Sequence, residues 1–265
     1  MSLELLFMGS GTSAGVPMIG CDCRVCRSDD PRDQRSRSSA VVEWIDDGGI
    51  ARRVLIDATP ELRAQCLRED ITRLDAVVYT HGHADHVMGT DDLRRFNAVQ
   101  QEALDIYADE ATFEVLGRMF TYIFDSSINL NKSFVATLIP HRVEHGVSFE
   151  LHGARWTPLL LYHGRMPITG YRIDHGGRSI GYCTDVSSIP PESLPLLEGL
   201  DVLVLDGLRH KHHPTHLTIE RACEYAERLG VSKCYLTHIG HEVSHAEVSE
   251  GLPEGVFLGS DGLRV

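Results

Sequence analysis

Four short apolar runs in this chain each lead to a nitrogen or oxygen donor of the kind that binds metal ions, and that recurrence restricts the fold more than any other feature. Asp75–Tyr79 leads through Thr80 to His81, Leu159–Tyr162 to His163, Ile180–Thr184 to Asp185 and Lys233–Thr237 to His238. Short apolar runs of this kind, bounded by polar residues, read as buried strands. Donors that follow such strands collect along one edge of a sheet, so the pattern predicts an open edge carrying a site. The densest part is Thr80-His81-Gly82-His83-Ala84-Asp85-His86, with three imidazoles and a carboxylate inside six residues. Neutral imidazole and ionised carboxylate are the usual donors to zinc-like ions. His81 and His83, two apart in an extended loop, can hold one ion while Asp85 and His86 turn toward a second. The plain alternative, a solvated histidine loop, fits poorly behind a buried strand.

A second donor cluster stands near the start. The spacing of Cys21-Asp22-Cys23-Arg24-Val25-Cys26 lets three thiolates converge on one ion while a distant residue completes the tetrahedron. Asp22, Arg24 and the following Arg27-Ser28-Asp29-Asp30 are too polar for a core segment. A disulfide inside so short a loop would be strained. The expectation is a structural zinc in a knuckle at about residues 20–27. Seven cysteines, an odd number, suit reduced thiols better than a secreted disulfide framework. Behind Met1 there is no basic start, long apolar stretch or small-residue cleavage site, so a cytoplasmic location is expected. No run approaches the roughly 20 apolar residues of a membrane helix.

The Gly9-Ser10-Gly11-Thr12-Ser13-Ala14-Gly15 stretch after the Leu3–Phe7 strand lacks the Gly-Lys-Ser/Thr of a phosphate loop and reads as a strand-to-loop turn. Val41–Ile45 and Arg53–Asp57 read as a hairpin joined by Asp46-Asp47-Gly48-Gly49. Thr59, Pro60 and Glu61 have the chemistry of a helix start, with Thr59 as N-cap of a helix over Pro60–Glu69. A helix beginning close to His86 and running through Val99 is expected, then a strand at Leu104–Tyr107 and a helix at Ala111–Phe120. Tyr122–Phe134 has no clean period; a lid, a homodimer arm and an ordinary surface loop are all compatible with it. Strands are expected at Thr137–Ile139, Val147–Leu151, Trp156–Tyr162, Thr169–Ile173, Ser179–Cys183 and Leu200–Asp206, and a helix at Thr218–Leu229 stopping at Gly230. At 265 residues, one domain over 1–265 is the expectation. The formal net charge of −13 has the wrong sign for tracking nucleic-acid phosphates, so broad nucleic-acid binding is disfavoured.

The set His81-x-His83-x-Asp85-His86, then His163, Asp185 and His238, resembles the ligand set of the metallo-β-lactamase superfamily, over nearly the whole chain. The Gly-Ser-Gly-Thr-Ser-x-Gly-Val-Pro start, the Cys21-x-Cys23-x-x-Cys26 knuckle and Thr237-His238-Ile239-Gly240-His241 resemble the bacterial cyclic-phosphate phosphodiesterases of phosphonate breakdown, more than the tRNA 3′-processing nucleases. The resemblance implies an α/β fold, a four-layer αβ/βα sandwich. It implies that His81, His83 and His163 hold one ion, that Asp85, His86 and His238 hold another, and that Asp185 bridges them. It also gives Cys21, Cys23, Cys26 and His241 a separate structural zinc. His216 matches a site histidine placed to contact the phosphate or leaving oxygen, and Asp57 a structural aspartate near the metal loop. The surplus His210, His212 and His213 are expected to face solvent.

The implied cofactors are two divalent ions, zinc, manganese or iron, beside the one structural zinc. Two such ions roughly 4 Å apart lower the pKa of a bridging water and clamp phosphate oxygens. The implied catalytic residues are Asp85 and His216, and the implied partner is a small phosphodiester, cyclic ones included. A tRNA 3′-processing nuclease and a non-catalytic metal-binding accessory protein of cofactor biosynthesis are the alternatives; the acidic balance opposes the first and the complete donor set the second.

Overall fold

The structure, a computed structural model, describes residues 3–128 and 134–265. The first half of the chain makes one six-stranded sheet, from β1 (Glu4–Gly9), β2 (Ser39–Ile45), β3 (Ala51–Ile56), β4 (Ala76–Val78), β5 (Leu104–Ala108) and β6 (Leu138–Arg142), in that spatial order. Its helices are α1 (Leu62–Arg68), α2 (Ala84–Val87), α3 (Arg94–Gln100), α4 (Glu110–Met119) and α5 (Thr121–Phe124). The second half makes a seven-stranded sheet from β7 (Phe149–Leu151), β8 (Ala154–His163), β9 (Met166–His175), β10 (Arg178–Cys183), β11 (Val202–Asp206), β12 (Cys234–Thr237) and β13 (Val256–Leu258), with helices α6 (Ile219–Leu229) and α7 (His245–Gly251). Each sheet begins antiparallel and continues parallel, from β3 onward in the first and from β10 onward in the second.

Alternation along the strands sorts the side chains into separate cores. Leu5, Phe7, Val42, Trp44, Val54 and Ile56 of the first sheet meet Trp156, Tyr171, Ile173, Tyr182 and Val204 of the second. The opposite face of the first sheet, through Leu6, Leu55 and Val77, buries Leu62, Phe96 and Leu116 from its helices. The outer face of the second, through Leu203, Leu205 and Leu236, buries Ile219, Ala222 and Ala226 of α6. Helix, sheet, sheet and helix are thus stacked, the αβ/βα sandwich expected. No helix among the described residues is long and apolar enough to cross a membrane.

Several local expectations need correction. Thr59 does not cap a helix over Pro60–Glu69. Its hydroxyl accepts from Glu61 N and donates to Gln65 Oε1, and α1 starts only at Leu62 after the N-cap residue Glu61. The helix expected from His86 through Val99 is broken into α2, a 3-10 turn over Met88–Leu93 and α3. Close packing explains the break, because a side chain at Gly89 would overlap the Thr59 carbonyl. The helix α7 and the strand β13 were not foreseen: Ser244–Gly251 offers no strong apolar period, and β13 is only three residues long. Within the segment considered as a lid or dimer arm, α5 covers Thr121–Phe124, and Asn129 and Asn131 lie outside the described residues.

The glycine-rich start is a turn, as expected. Its amides are consumed internally: Ser10 N donates to Asp261 Oδ1, Gly11 N to the Ser36 carbonyl and Thr12 N to the Ile239 carbonyl. A side chain at Gly9 would overlap the Arg37 carbonyl, so bare backbone is what lets these loops touch. Beside them Arg35 is fully buried, donating to Asp33 Oδ1 at 2.8 Å, the Val243 carbonyl at 2.8 Å and the Gly240 carbonyl at 3.1 Å. It pins the 240–243 segment to the first sheet's loops. Removing one partner of a buried pair leaves the other uncompensated, so Arg35→Met is expected to cost about 3–5 kcal/mol in urea unfolding. A loss below about 1 kcal/mol would show that the pair does not hold this region.

Candidate metal centre

The parallel strands of both sheets point their carboxyl ends at one edge. There β3 delivers Asp57, β4 delivers Thr80 and His81, β10 delivers Asp185, β11 ends in Asp206 and β12 delivers His238, while the antiparallel β8 ends in His163. Three of these leave their strands in the left-handed region, Asp57 at φ 63°, Asp185 at 59° and His238 at 59°. For residues other than glycine this conformation costs free energy and is kept where surrounding structure over-determines it. Here it turns each side chain back over the strand ends.

The sequence-separated donors come together. The ring of His81 lies 4.6 Å from that of His83, 4.2 Å from that of His86 and 5.7 Å from that of His163. His83 and His163 are 5.1 Å apart. Asp85, His86, Asp185 and His238 offer donor atoms all within 4.8 Å of one another, and so do His163, Asp185 and His216. Asp185 is common to both groups. Its carboxylate oxygens lie 3.3 Å from His86 Nε2 and 3.2 Å from His238 Nε2. His81, His86, Asp185 and His238 are buried, whereas His83 is exposed.

Neighbours aim the rings. His163 Nδ1 faces the Asp185 carbonyl at 2.9 Å; a carbonyl can only accept, so Nδ1 carries the proton and Nε2 keeps its lone pair. Asp57 accepts from Thr80 N at 2.8 Å, from Thr80 Oγ1 at 2.7 Å and from His86 Nδ1 at 2.7 Å. With its proton given to Asp57, Thr80 Oγ1 accepts from His81 Nδ1 at 3.0 Å. Three Nε2 atoms are thereby left as acceptors. This is the outer-shell carboxylate and hydroxyl support usual for metal-binding histidines. Asp57→Asn keeps the shape but not the charge, and is expected to weaken metal binding about 10–100-fold in competition with a chromogenic chelator. Unchanged affinity would remove Asp57 from that supporting role.

The charges also ask for a cation. Burial opposes the ionised form of Asp185, yet His238 and His86 hold its carboxyl well below the usual range. Burial likewise opposes a charged His238, but the carboxylates of Asp185 and Asp85 outweigh it and push the ring up to about 10. Burial, then His86, drives His81 well down. The Nε2 atoms of His81 and His86 and both ring nitrogens of His238 are buried with no hydrogen-bond partner. Each such atom costs about 1–3 kcal/mol unless something satisfies it. Divalent ions among these groups would satisfy the three Nε2 atoms, so the residues fit metal.

The thiol knuckle closes on the residue the resemblance assigned. Cys21, Cys23, Cys26 and His241 offer donor atoms within 4.8 Å of one another, with His241 Nδ1 3.3 Å from Cys21 Sγ and 3.4 Å from Cys23 Sγ. Backbone amides point at the sulfurs: Cys26 N donates to Cys23 Sγ and Met18 N to Cys26 Sγ. The Cys26 amide, with help from His241, brings the Cys23 thiol down to about 6, whereas burial lifts Cys26 to about 11.

His216 sits among the second sheet's donors, its ring 4.7 Å from that of His163 and 4.6 Å from that of His238. Its Nδ1 is 2.6 Å from Asp206 Oδ2, whose carboxyl is fully buried and pushed upward by that burial. Asp206 was missed as a site residue. The signal was present, a carboxylate closing the apolar run Val202–Leu205 just as Asp185 follows Ile180–Cys183. Of the histidines expected to face solvent, His210 and His212 do. His213 does not: it is half-buried, its ring 5.0 Å from that of His216.

Comparison with known proteins places this geometry. The model of the β-lactamase superfamily domain matches residues 52–239. A crystal structure described as a new diphosphatase from the PhnP family shares 46% identity, covers 99% of this chain and 97% of its own, and superposes with a TM-score of 0.88. A protein named octanoyltransferase from Porphyromonas gingivalis is 36% identical over 264 residues; the match takes in 99% of this chain but only 51% of that protein, so the chain spans about half its length. Coenzyme PQQ synthesis protein B from Methylobacterium nodulans is 26% identical over 233 residues, 77% of this chain and 73% of that one. A donor-lined sheet edge of this kind, in a chain that aligns end to end with a PhnP-family diphosphatase, leaves one assignment: the chain belongs to the metallo-β-lactamase superfamily.

Proposed function

We propose that the chain hydrolyses a small phosphodiester, cyclic ones included, at a centre holding two divalent ions, and that the thiol knuckle holds a structural zinc. One observation carries the reading: the Asp185 carboxylate belongs at once to the donor group of Asp85, His86 and His238 and to that of His163 and His216. A carboxylate shared in this way suits two adjacent ions, with His81, His83 and His163 on one side and Asp85, His86 and His238 on the other. When bound, such a pair acidifies a water and offsets the negative charge of a phosphate.

The chain's own groups do the rest. Asp206 occupies Nδ1 of His216 and fixes the ring, so Nε2 is the nitrogen left to meet substrate. There it can deliver a proton to the departing alkoxide. Asp85, half-buried with Oδ2 3.3 Å from His86 Nε2 and 3.7 Å from His238 Nε2, completes the negative lining. The 46% identical PhnP-family diphosphatase supports phosphate chemistry. Zinc, manganese and iron all suit nitrogen and oxygen donors.

The test is a substrate panel on metal-replete protein with its metal content determined alongside. Cleavage of bis(p-nitrophenyl) phosphate or of a cyclic phosphodiester is expected, with up to three ions per chain, and Asp85→Ala is expected to cut turnover about a thousandfold. No phosphodiester cleavage, or an Asp85→Ala protein as fast as wild type, would end this reading. An octanoyl thioester belongs in the panel, although half of the P. gingivalis protein that carries the octanoyltransferase name lies outside the match.

A further inference from the structure

A groove of about 960 Å³ lies between α6 and α7, and none of the metal donors lines it. Sequence spacing builds it. On α6, Ile219, Cys223 and Ala226 recur at the interval of one helix face and line the groove. Glu220, Glu224 and Glu227 repeat that interval one residue on, so an acidic row borders the apolar one. Val248 of α7, Leu252 at its end and Val256 of β13 complete the floor. Cys223, Val248 and Leu252 pack against the core beneath yet stay only partly buried.

The rim is negative. With Glu247 and Glu254 on the α7 side, five carboxylates line the groove, against no lysine or arginine among the described residues. Arg221 and Arg24 pair with Glu224 and Glu247 from outside it, and His210 stands 2.6 Å from Glu220. Glu227 and Glu254 take part in no ion pair among the described residues. The carboxylates reach the floor as well: burial, then Glu220 and Glu224, push the Cys223 thiol upward. Two lining residues adjoin the donor clusters. His210 belongs to the loop 209–218, which carries His216 and is closed at its base by Leu208 N on the Leu217 carbonyl and Ile219 N on the Arg209 carbonyl. Glu247 holds Arg24, which stands between Cys23 and Cys26 of the knuckle.

We propose that this groove docks a basic amphipathic helix of a partner protein. Its apolar stripe covers Cys223, Val248 and Leu252, and its lysines or arginines meet the glutamates on both walls. A groove between two helices receives a third by laying an apolar face into it. The 11 residues of α6 span about 16 Å, so the docked segment is about three turns long. Charge selects the occupant, because an acidic helix would set like charges against Glu227 and Glu254. Docking does not require the hydrolytic reading above.

The test is fluorescence anisotropy on metal-replete protein with labelled peptides of two heptads. The probe is Leu-Lys-Lys-Leu-Leu-Lys-Leu repeated twice, whose leucines form one helical stripe. Leu-Lys-Leu-Lys-Leu-Lys-Leu repeated twice has the same composition in a strand pattern, and a third peptide has glutamate for every lysine of the probe. The probe is expected to bind about tenfold or more tightly than either control. Glu227→Gln with Glu254→Gln is expected to weaken it about fivefold, and Val248→Asp about tenfold. Asp47→Asn with Glu102→Gln removes the same charge from exposed positions beside the first sheet and is expected to stay within about twofold of wild type. A probe that binds no better than its controls, a rim pair without effect, or an equal loss in the distant pair would overturn the docking site and leave only general attraction to an acidic protein. Should Val248→Asp fail to fold, the rim pair decides.

Discussion

Replacing Asp185 with asparagine is expected to lower phosphodiester turnover by about a thousandfold or more and to strip ions from the histidine centre, while the thiol knuckle stays loaded. The side chain keeps its shape, and asparagine is among the residues that best tolerate the left-handed region in which position 185 sits at φ 59°. The backbone therefore has no reason to rearrange. What is lost is one negative charge 3.3 Å from His86 Nε2 and 3.2 Å from His238 Nε2, on the group both donor clusters share. Losing a single electrostatic stabiliser in an active site commonly costs about 10²–10³ in turnover; on the two-ion reading proposed above, losing the shared carboxylate exceeds that. Metal analysis by plasma mass spectrometry, with turnover of bis(p-nitrophenyl) phosphate and a thermal midpoint, decides the matter. Full ion content together with near-normal turnover would show that position 185 joins nothing.

The opposite pattern is expected of Cys23→Ser. One zinc should be lost and the thermal midpoint should fall by about 6–12 °C, the shift that about 3 kcal/mol gives in a chain of this size. Metal binding at such a knuckle contributes directly to folding free energy. The knuckle's own apolar cluster is small, with Val16, Val25 and Cys26 buried and Met18, Cys21 and Cys23 partly buried against them, so little apolar packing holds residues 16–26 together. The ions of the histidine centre are expected to remain. A variant that keeps both its zinc and its midpoint would make Cys21, Cys23, Cys26 and His241 a chance approach.

Much of the site was legible because its donors follow strong signals. A short apolar run bounded by polar residues reads as a strand, and the residue after it emerges at a sheet end, so His163, Asp185 and His238 could be placed at sheet ends without long-range information. Asp206 obeyed the same rule yet was absorbed into its strand, since a carboxylate at the end of a run looks like ordinary termination until His216 is seen 2.6 Å away. His213 was misjudged for a related reason: nothing local distinguishes it from His212, and only the closure of the 209–218 loop turns one inward and leaves the other outside. The layered architecture came through because period-two runs dominate both halves. The helix boundaries near Thr59 and Met88 did not, because side-chain competition at Thr59 and the close approach at Gly89 override local propensity.

Only Ile239 and Gly240 separate His238, at the heart of the histidine centre, from His241 at the knuckle. Three residue steps reach at most about 11 Å. Slack is further removed by Ile239 N on the Ser10 carbonyl and by Arg35 on the carbonyl of Gly240. The cysteine cluster beside the amino-terminal loop and the candidate metal centre are therefore hitched to one short strap of backbone.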